Sequence, residues 1–313
     1  MAHRIEHRLD NGLMVLIEPL NRPAVATHLL MPVGAAGDPA GGEGCANLLH
    51  AWCQRGAGTR DTRAANEALE NLGARRSGGA GRESTTWTLT CLGADWAEAL
   101  GLLGDTVLAP ALPDDAVEAC RALALQELAG LEDQPAQKLL VELTQRYFPT
   151  AFGRPLMGTA ETVSALSAEA LRGHWQATCR PDGAVLSVAG GVDPDSALAR
   201  IEELFGGWQG QAPALPPAEP RREALYEHVP ATTEQVHLGV MYADVAPTDP
   251  LRYHGQMAVQ VLSGGMGARL FTEVREKRGL CYSVGASALA VRGHGYVVAR
   301  AGTTTERRNC RWT

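Results

Sequence analysis

A chain of 313 residues, 45% hydrophobic and only 5% aromatic, is long enough for two domains of ordinary size. Its 28 basic and 35 acidic residues give a formal charge of −7 with no basic block, which argues against nucleic acid as a partner, since phosphate binding needs a clustered positive surface. No apolar run is long enough to span a bilayer, and no signal-peptide core occupies the region of Arg4, Glu6, Arg8 and Asp10, so the expectation is a soluble, cytoplasmic protein with no membrane partner.

The cysteines (Cys45, Cys53, Cys91, Cys120, Cys179, Cys281 and Cys310) form no Cys-x-x-Cys pair and read as buried, reduced thiols. Residues 4–20 alternate around Asp10-Asn11-Gly12 and predict a hairpin. A second apolar strand follows over 24–33, then a Gly- and Pro-containing loop over 34–44. In Gly44-Cys45-Ala46-Asn47-Leu48-Leu49-His50-Ala51-Trp52 the apolar residues fall at steps of three and four, which predicts a helix. Asn47, His50 and Ala51 then share one face.

A helix over 61–72 comes next, then a glycine-rich turn at Ser77–Gly81 and a strand over 84–92. The turn lacks the Lys-Ser/Thr ending of a phosphate cradle. Helices are expected over 95–108, 114–131 with Asp114 as N-cap, and 135–147. After a loop at 148–158 come a helix near 167–178, a strand over 184–189, and a helix opened by Asp193-Pro194. Residues 206–222 are rich in Gly and Pro without periodicity and read as an extended, exposed linker. Beyond it the order strand, helix, helix, strand repeats: a strand at 236–241, helices over 250–262 and 267–277, and strands at 280–290 and 294–301. The repetition reads as a tandem duplication.

The helix at 44–52, with its Gly-x-Ala lead and the following Arg55-Gly56-Ala57-Gly58-Thr59, resembles the inverted zinc motif, H-x-x-E-H, of the pitrilysin/insulinase family of metallopeptidases. On that motif Asn47 stands for the first histidine, His50 for the glutamate base and Ala51 for the second histidine. The family's third ligand is a glutamate far downstream. Glu127, 76 positions beyond Ala51, falls in the matching pattern Q-E-L-x-x-x-E-D-x-P. One zinc ligand of three is left, so the resemblance implies a peptidase fold whose zinc, the family's cofactor, has been lost. His50 is expected to hydrogen-bond a neighbour, Glu127 among them. Without its flanks such a helix would read simply as a packed amphipathic helix with one histidine.

The second constellation is Gly264-Gly265-Met266-Gly267-Ala268-Arg269-Leu270-Phe271 with Val274-Arg275-Glu276-Lys277-Arg278-Gly279-Leu280-Cys281-Tyr282-Ser283, which looks very like the family's second-domain signature. In relatives an Arg and a Tyr seven positions apart reach across to the zinc half and contact the substrate. Arg275 and Tyr282 carry that spacing here. A guanidinium and a phenol are donors suited to an oxyanion that develops as a peptide bond is attacked.

The reading is therefore an α+β, sandwich-like fold of tandem homologous domains, each a mainly antiparallel sheet packed with helices. The first domain is placed at 1–205, the linker at 206–222 and a partial second domain at 223–313. The second repeat ends near Gly302, so its C-terminal half is expected to be missing, with Val284, Leu289, Val297 and Val298 forming an exposed apolar face. The resemblance implies an inactive homologue, the non-catalytic subunit of a heterodimer whose partner carries the zinc and whose substrates are unfolded peptides. The rivals are a structural scaffold on the same fold, and an active enzyme using His50 and Glu127 with another metal. The last conflicts with the three protein ligands a catalytic zinc requires.

Overall fold

The structure, a computed structural model, describes residues 4–223, 225–231 and 235–306. The chain divides into two compact units, one made of the described residues of Met1–Leu128 and Pro155–Pro216, the other of those of Ala129–Arg154 and Pro217–Thr313.

The first unit is built on six strands: β1 (Ile5–Arg8), β2 (Met14–Pro19), β3 (Ala24–Met31), β4 (Arg75–Ala80), β5 (Thr85–Leu92) and β6 (Val185–Gly190). They lie in the order β1-β2-β6-β3-β5-β4, antiparallel throughout except for the β2–β6 pair. The expected hairpin joins β1 to β2, and its turn needs Gly12 because the backbone there has φ 94°. Val15 and Ile17 of β2, Leu29 of β3, Leu89 of β5 and Leu186 of β6 are buried under helices α1 (Cys45–Cys53), α3 (Trp96–Leu108) and α8 (Pro194–Phe205). Period-two burial in the strands against helical stripes is the pattern the sequence called for. Helix α2 (Thr62–Asn71) starts at Asp61, whose carboxylate accepts from the Ala64 N–H. Asp114, expected as a cap, is instead the first residue of α4 (Asp114–Glu132), where its carboxylate pairs with Arg172.

Three local expectations change in this unit. The glycine-rich stretch at 77–81 is not a turn but part of edge strand β4, where a side chain on Gly78 would come within 2.1 Å of the Thr86 carbonyl oxygen. A short helix, α6 (Ala160–Ala165), precedes α7 (Ala168–Thr178) and is closed by a reciprocal cap between Thr159 and Thr162. The linker has no regular structure, as expected, but Trp208, Leu215 and Ala218 are buried along it, so it is anchored at intervals instead of exposed throughout.

The second unit holds α5 (Pro135–Tyr147), β7 (Gln235–Asp244), α9 (Arg252–Ser263), a π-helix at Leu270–Glu276, β8 (Ser283–Val291) and β9 (His294–Thr304). Its antiparallel sheet runs β7-β9-β8, which repeats β3-β5-β4 of the first unit with the same two intervening helical segments. The expected duplication is thus visible in the strand order. Helix α5, which the sequence reading placed in the first domain, packs in this unit against β7. Gly239 of β7 leaves room for Leu139 and Leu143, whose methyl carbons would lie 3.0–3.2 Å from any Cβ at that position. Tyr147 and Phe148 pack their rings on Tyr296 of β9 at 5.9 and 5.4 Å.

The expected open apolar face is only partly present. Leu289 on edge strand β8 is 48% exposed and Val284 is half-buried, but Val297 and Val298 are buried, because β9 is the middle strand and is covered on both faces. Among the described residues no helix is long and apolar enough to cross a membrane.

Candidate functional site

Helix α1 is aimed by what precedes it. Gly44 adopts φ 93°, and the Asp38 carboxylate reaches across the loop to accept from the N–H groups of Gly44 and Ala46, both at 2.9 Å. These are helix N-terminal donors without partners in the helix itself, so Asp38 acts as a cap from six residues upstream. Burial pushes the Asp38 carboxyl up to about 7, against the opposing pull of those N–H bonds. His174 of α7 places Nε2 3.7 Å from Asp38 Oδ1, and Cys45 completes the one cluster of three potential ligands found among the described residues. Sequence reasoning missed Asp38 and His174. The only local signal was an acidic residue ahead of a glycine-rich helix start.

On α1 itself Asn47 and Ala51 are half-buried, while His50 is only 7% exposed. The His50 ring packs on Trp87 of β5, centroids 4.1 Å apart and planes tilted by 34°. Its Nδ1 lies 3.3 Å from Gln54 Nε2, and its Nε2 finds no hydrogen-bond partner in the protein. Burial lowers its pKa to about 4, against the opposing pull of the Thr86 backbone and with the Arg76 charge assisting. Glu127 is exposed on α4 and does not meet His50, so the expected hydrogen bond between them is not made. The reason is that His50 turns toward the sheet. Asn47, His50, Ala51 and Glu127 therefore do not fit a zinc ion: the one imidazole points inward onto an indole, and neither alanine nor a neutral amide supplies a ligand of the kind zinc takes. Protein dialysed against trace zinc is expected to retain no stoichiometric metal at these residues, and elemental analysis checks this. About one equivalent per chain, lost on His50→Leu, would contradict it.

The two buried titrating groups have opposite effects on stability. Asp38 has a raised pKa in the fold, so its contribution is present below about 4 and is lost as pH rises to about 7. His50 has a lowered pKa, so its contribution is present above 6.5 and is lost as pH falls to about 4. Between those limits the two trends oppose each other. His50→Leu is expected to gain roughly 3 kcal/mol relative to the parent chain on going from pH 7 to pH 4, at about 1.4 kcal/mol per unit of pKa shift. Denaturant unfolding of both chains at the two pH values measures the difference.

In the second unit the π-helix carries Arg275, with the Lys277 N–H bonding to the Thr272 carbonyl five residues back at 2.9 Å. Gly279, at φ 58°, turns the chain out of this helix, and the Tyr282 N–H then bonds to the Gly302 carbonyl of β9 at 3.1 Å. The turn brings Tyr282 back beside Arg275. The guanidinium carbon stands 4.7 Å from the Phe271 ring centre and 5.6 Å from that of Tyr282. Tyr282 is 85% exposed, and the Arg275 side chain is about 40% exposed, its Nε 4.0 Å from a Glu276 oxygen. The expected pair is assembled, presented to solvent and held by cation–π contacts.

The chain is thus an α+β protein with a repeated antiparallel sheet and helices, carrying Asn47, His50 and Ala51 on a helix of one repeat and Arg275 beside Tyr282 in the other. The family described as Insulinase (Peptidase family M16) matches residues 13–160, and the description Peptidase M16 inactive domain matches residues 165–311, so that the chain belongs to peptidase family M16. Among its relatives are uncharacterized zinc proteases of Streptomyces coelicolor, 28% identical over 88% of this chain and 62% of theirs, and of Mycobacterium leprae, 31% identical over 88% and 64%. The chain thus spans a little under two thirds of the length of these two relatives. A peptidase M16 inactive domain from Pseudomonas fluorescens superposes with a TM-score of 0.90 at 24% identity, covering 97% of this chain and 75% of that one. A chain of Complex III2 from Candida albicans shares the fold at a TM-score of 0.77 and 17% identity, covering 96% of this chain and 72% of that one.

Proposed function

We propose that this chain is a non-catalytic member of the family that lends Arg275 and Tyr282 to the active site of a zinc-bearing partner of the same family, in the hydrolysis of unfolded peptides. The observation that carries this reading is the contrast between the two sites. Helix α1 offers no zinc ligand set, with His50 buried against Trp87, whereas Arg275 and Tyr282 lie together and open to solvent. A phenol that is 85% exposed beside a partly open guanidinium is accessible to a substrate or partner. The description of the matched C-terminal half as an inactive domain supports the same reading.

A scaffold without a part in catalysis is the competing reading, and the likeness to a chain of Complex III2 extends to the fold alone. Peptide cleavage by mixed and separate chains tests the proposal. An unfolded peptide should be cut when this chain and a family member with an intact zinc helix are combined, and at background by either alone. Cleavage by the zinc-bearing chain alone at the full rate of the mixture would refute it.

A further inference from the structure

Beneath α1 the first unit holds a small, partly open cavity of about 30 Å³, bounded by β3, β5, α1, α3 and α7. His50 and Trp87 both line it, and both carry a ring nitrogen without a well-formed hydrogen bond in the protein: Nε2 of His50, whose contact with the Thr86 backbone falls short of hydrogen-bond geometry, and Nε1 of Trp87. Each residue is more than nine-tenths buried, at 7% and 2% exposure. The Gln54 amide nitrogen donates to His50 Nδ1, which leaves the ring proton on Nε2. An indole nitrogen can only donate. Two N–H donors thus lie among the walls of one small cavity, and buried donors of this kind are costly to leave unmatched.

The acceptors are present as well. Thr85 and Thr178 line the same cavity, and their hydroxyl hydrogens are committed elsewhere, to the Val33 carbonyl at 2.9 Å and the His174 carbonyl at 2.7 Å. Their oxygens keep lone pairs. We infer that the cavity is a binding site for one structural water, which accepts from His50 Nε2 and Trp87 Nε1 and donates to the Thr85 and Thr178 hydroxyl oxygens. The volume admits a single water, and two donors with two acceptors match its hydrogen-bonding capacity. A halide would match the donors but waste the acceptors, and His50 stays neutral across physiological pH and so brings no charge to hold it. A metal ion would face two N–H groups. The water fixes the His50 ring inward, which keeps the residue at the former catalytic-base position away from the surface. This site does not depend on the reading of Arg275 and Tyr282.

The test is a crystal structure of the chain at a resolution that shows ordered water, with a solution experiment beside it. One full density peak is expected within hydrogen-bonding distance of both ring nitrogens. In solution the Trp87 indole proton should show a cross-peak to a long-lived water. In Trp87→Phe, which keeps an aromatic ring under His50, magnetic relaxation dispersion should count one fewer long-lived water. An empty cavity in the parent crystal, an anomalous bromide peak at the position after a bromide soak, or an indole proton without a water cross-peak would each overturn the inference, whether or not the variant folds.

Discussion

Arg275→Ala in this chain is expected to lower peptide turnover by the two-chain mixture by about 10²–10³, the usual effect of removing one donor to a developing oxyanion. The guanidinium is pre-positioned between Phe271 and Tyr282, at 4.7 and 5.6 Å from their ring centres, so little conformational freedom is left to lose when substrate arrives. Tyr282→Phe removes only a hydroxyl and keeps the ring beside Arg275; a loss of similar order is expected. Both variants should still assemble with the partner, as measured by sedimentation. Asn47→Ala is the control, because that half-buried position carries no ligand chemistry, and it is expected to leave turnover unchanged. Equal turnover with Arg275→Ala, Tyr282→Phe and Asn47→Ala would support the scaffold reading instead.

Trp52→Ala is expected to destabilise the first unit by about 3–5 kcal/mol, the range for deleting a large buried aromatic side chain. Trp52 is fully buried at the C-terminal end of α1, and its indole N–H donates to the Pro113 carbonyl at 2.9 Å. The Arg172 guanidinium of α7 stands 5.1 Å above its ring. One side chain therefore ties α1 to the start of α4 and to α7, and its removal leaves a cavity, an unmatched carbonyl and a cation without its aromatic partner. Trp52→Phe keeps most of the volume and should cost clearly less. Denaturant unfolding monitored in the far ultraviolet compares the two. A loss below about 1 kcal/mol for Trp52→Ala would mean that α1 is not a keystone of this unit.

How far the sequence could be read depended on the range of the interactions involved. Helix α1, the hairpin at Gly12 and the Asp193-Pro194 start of α8 were legible, because a few adjacent residues determine them. The duplicated strand order was legible because the same element sequence occurs twice. The packing of α5 on β7 was not, since it rests on Gly239, some hundred residues away, making room for Leu139 and Leu143. The π-helix was read as an ordinary helix because the apolar residues Leu270, Phe271 and Val274 suit either winding. At the candidate site the chemistry of Asn47 and Ala51, neither of them a side chain that zinc ordinarily takes, could be read directly. The inward turn of His50 was hidden, because its partner Trp87 lies on a strand 37 positions further along the chain. The remote cap from Asp38 was hidden for the same reason: a loop conformation brings its carboxylate to the helix, and no spacing rule encodes that.

The most direct measurement of the central claim is photocrosslinking from position 282. A photoreactive benzoyl-phenylalanine in place of Tyr282 is irradiated with a labelled peptide substrate, with and without the zinc-bearing partner rendered inactive by loss of its glutamate base. The same group at Tyr242, on β7 and 44% exposed, serves as the control for non-specific capture. The expected result is a crosslink to the peptide from position 282 only when the partner is present, and none above background from position 242. Equal crosslinking from both positions, or none from position 282 in an assembled complex, would contradict the account.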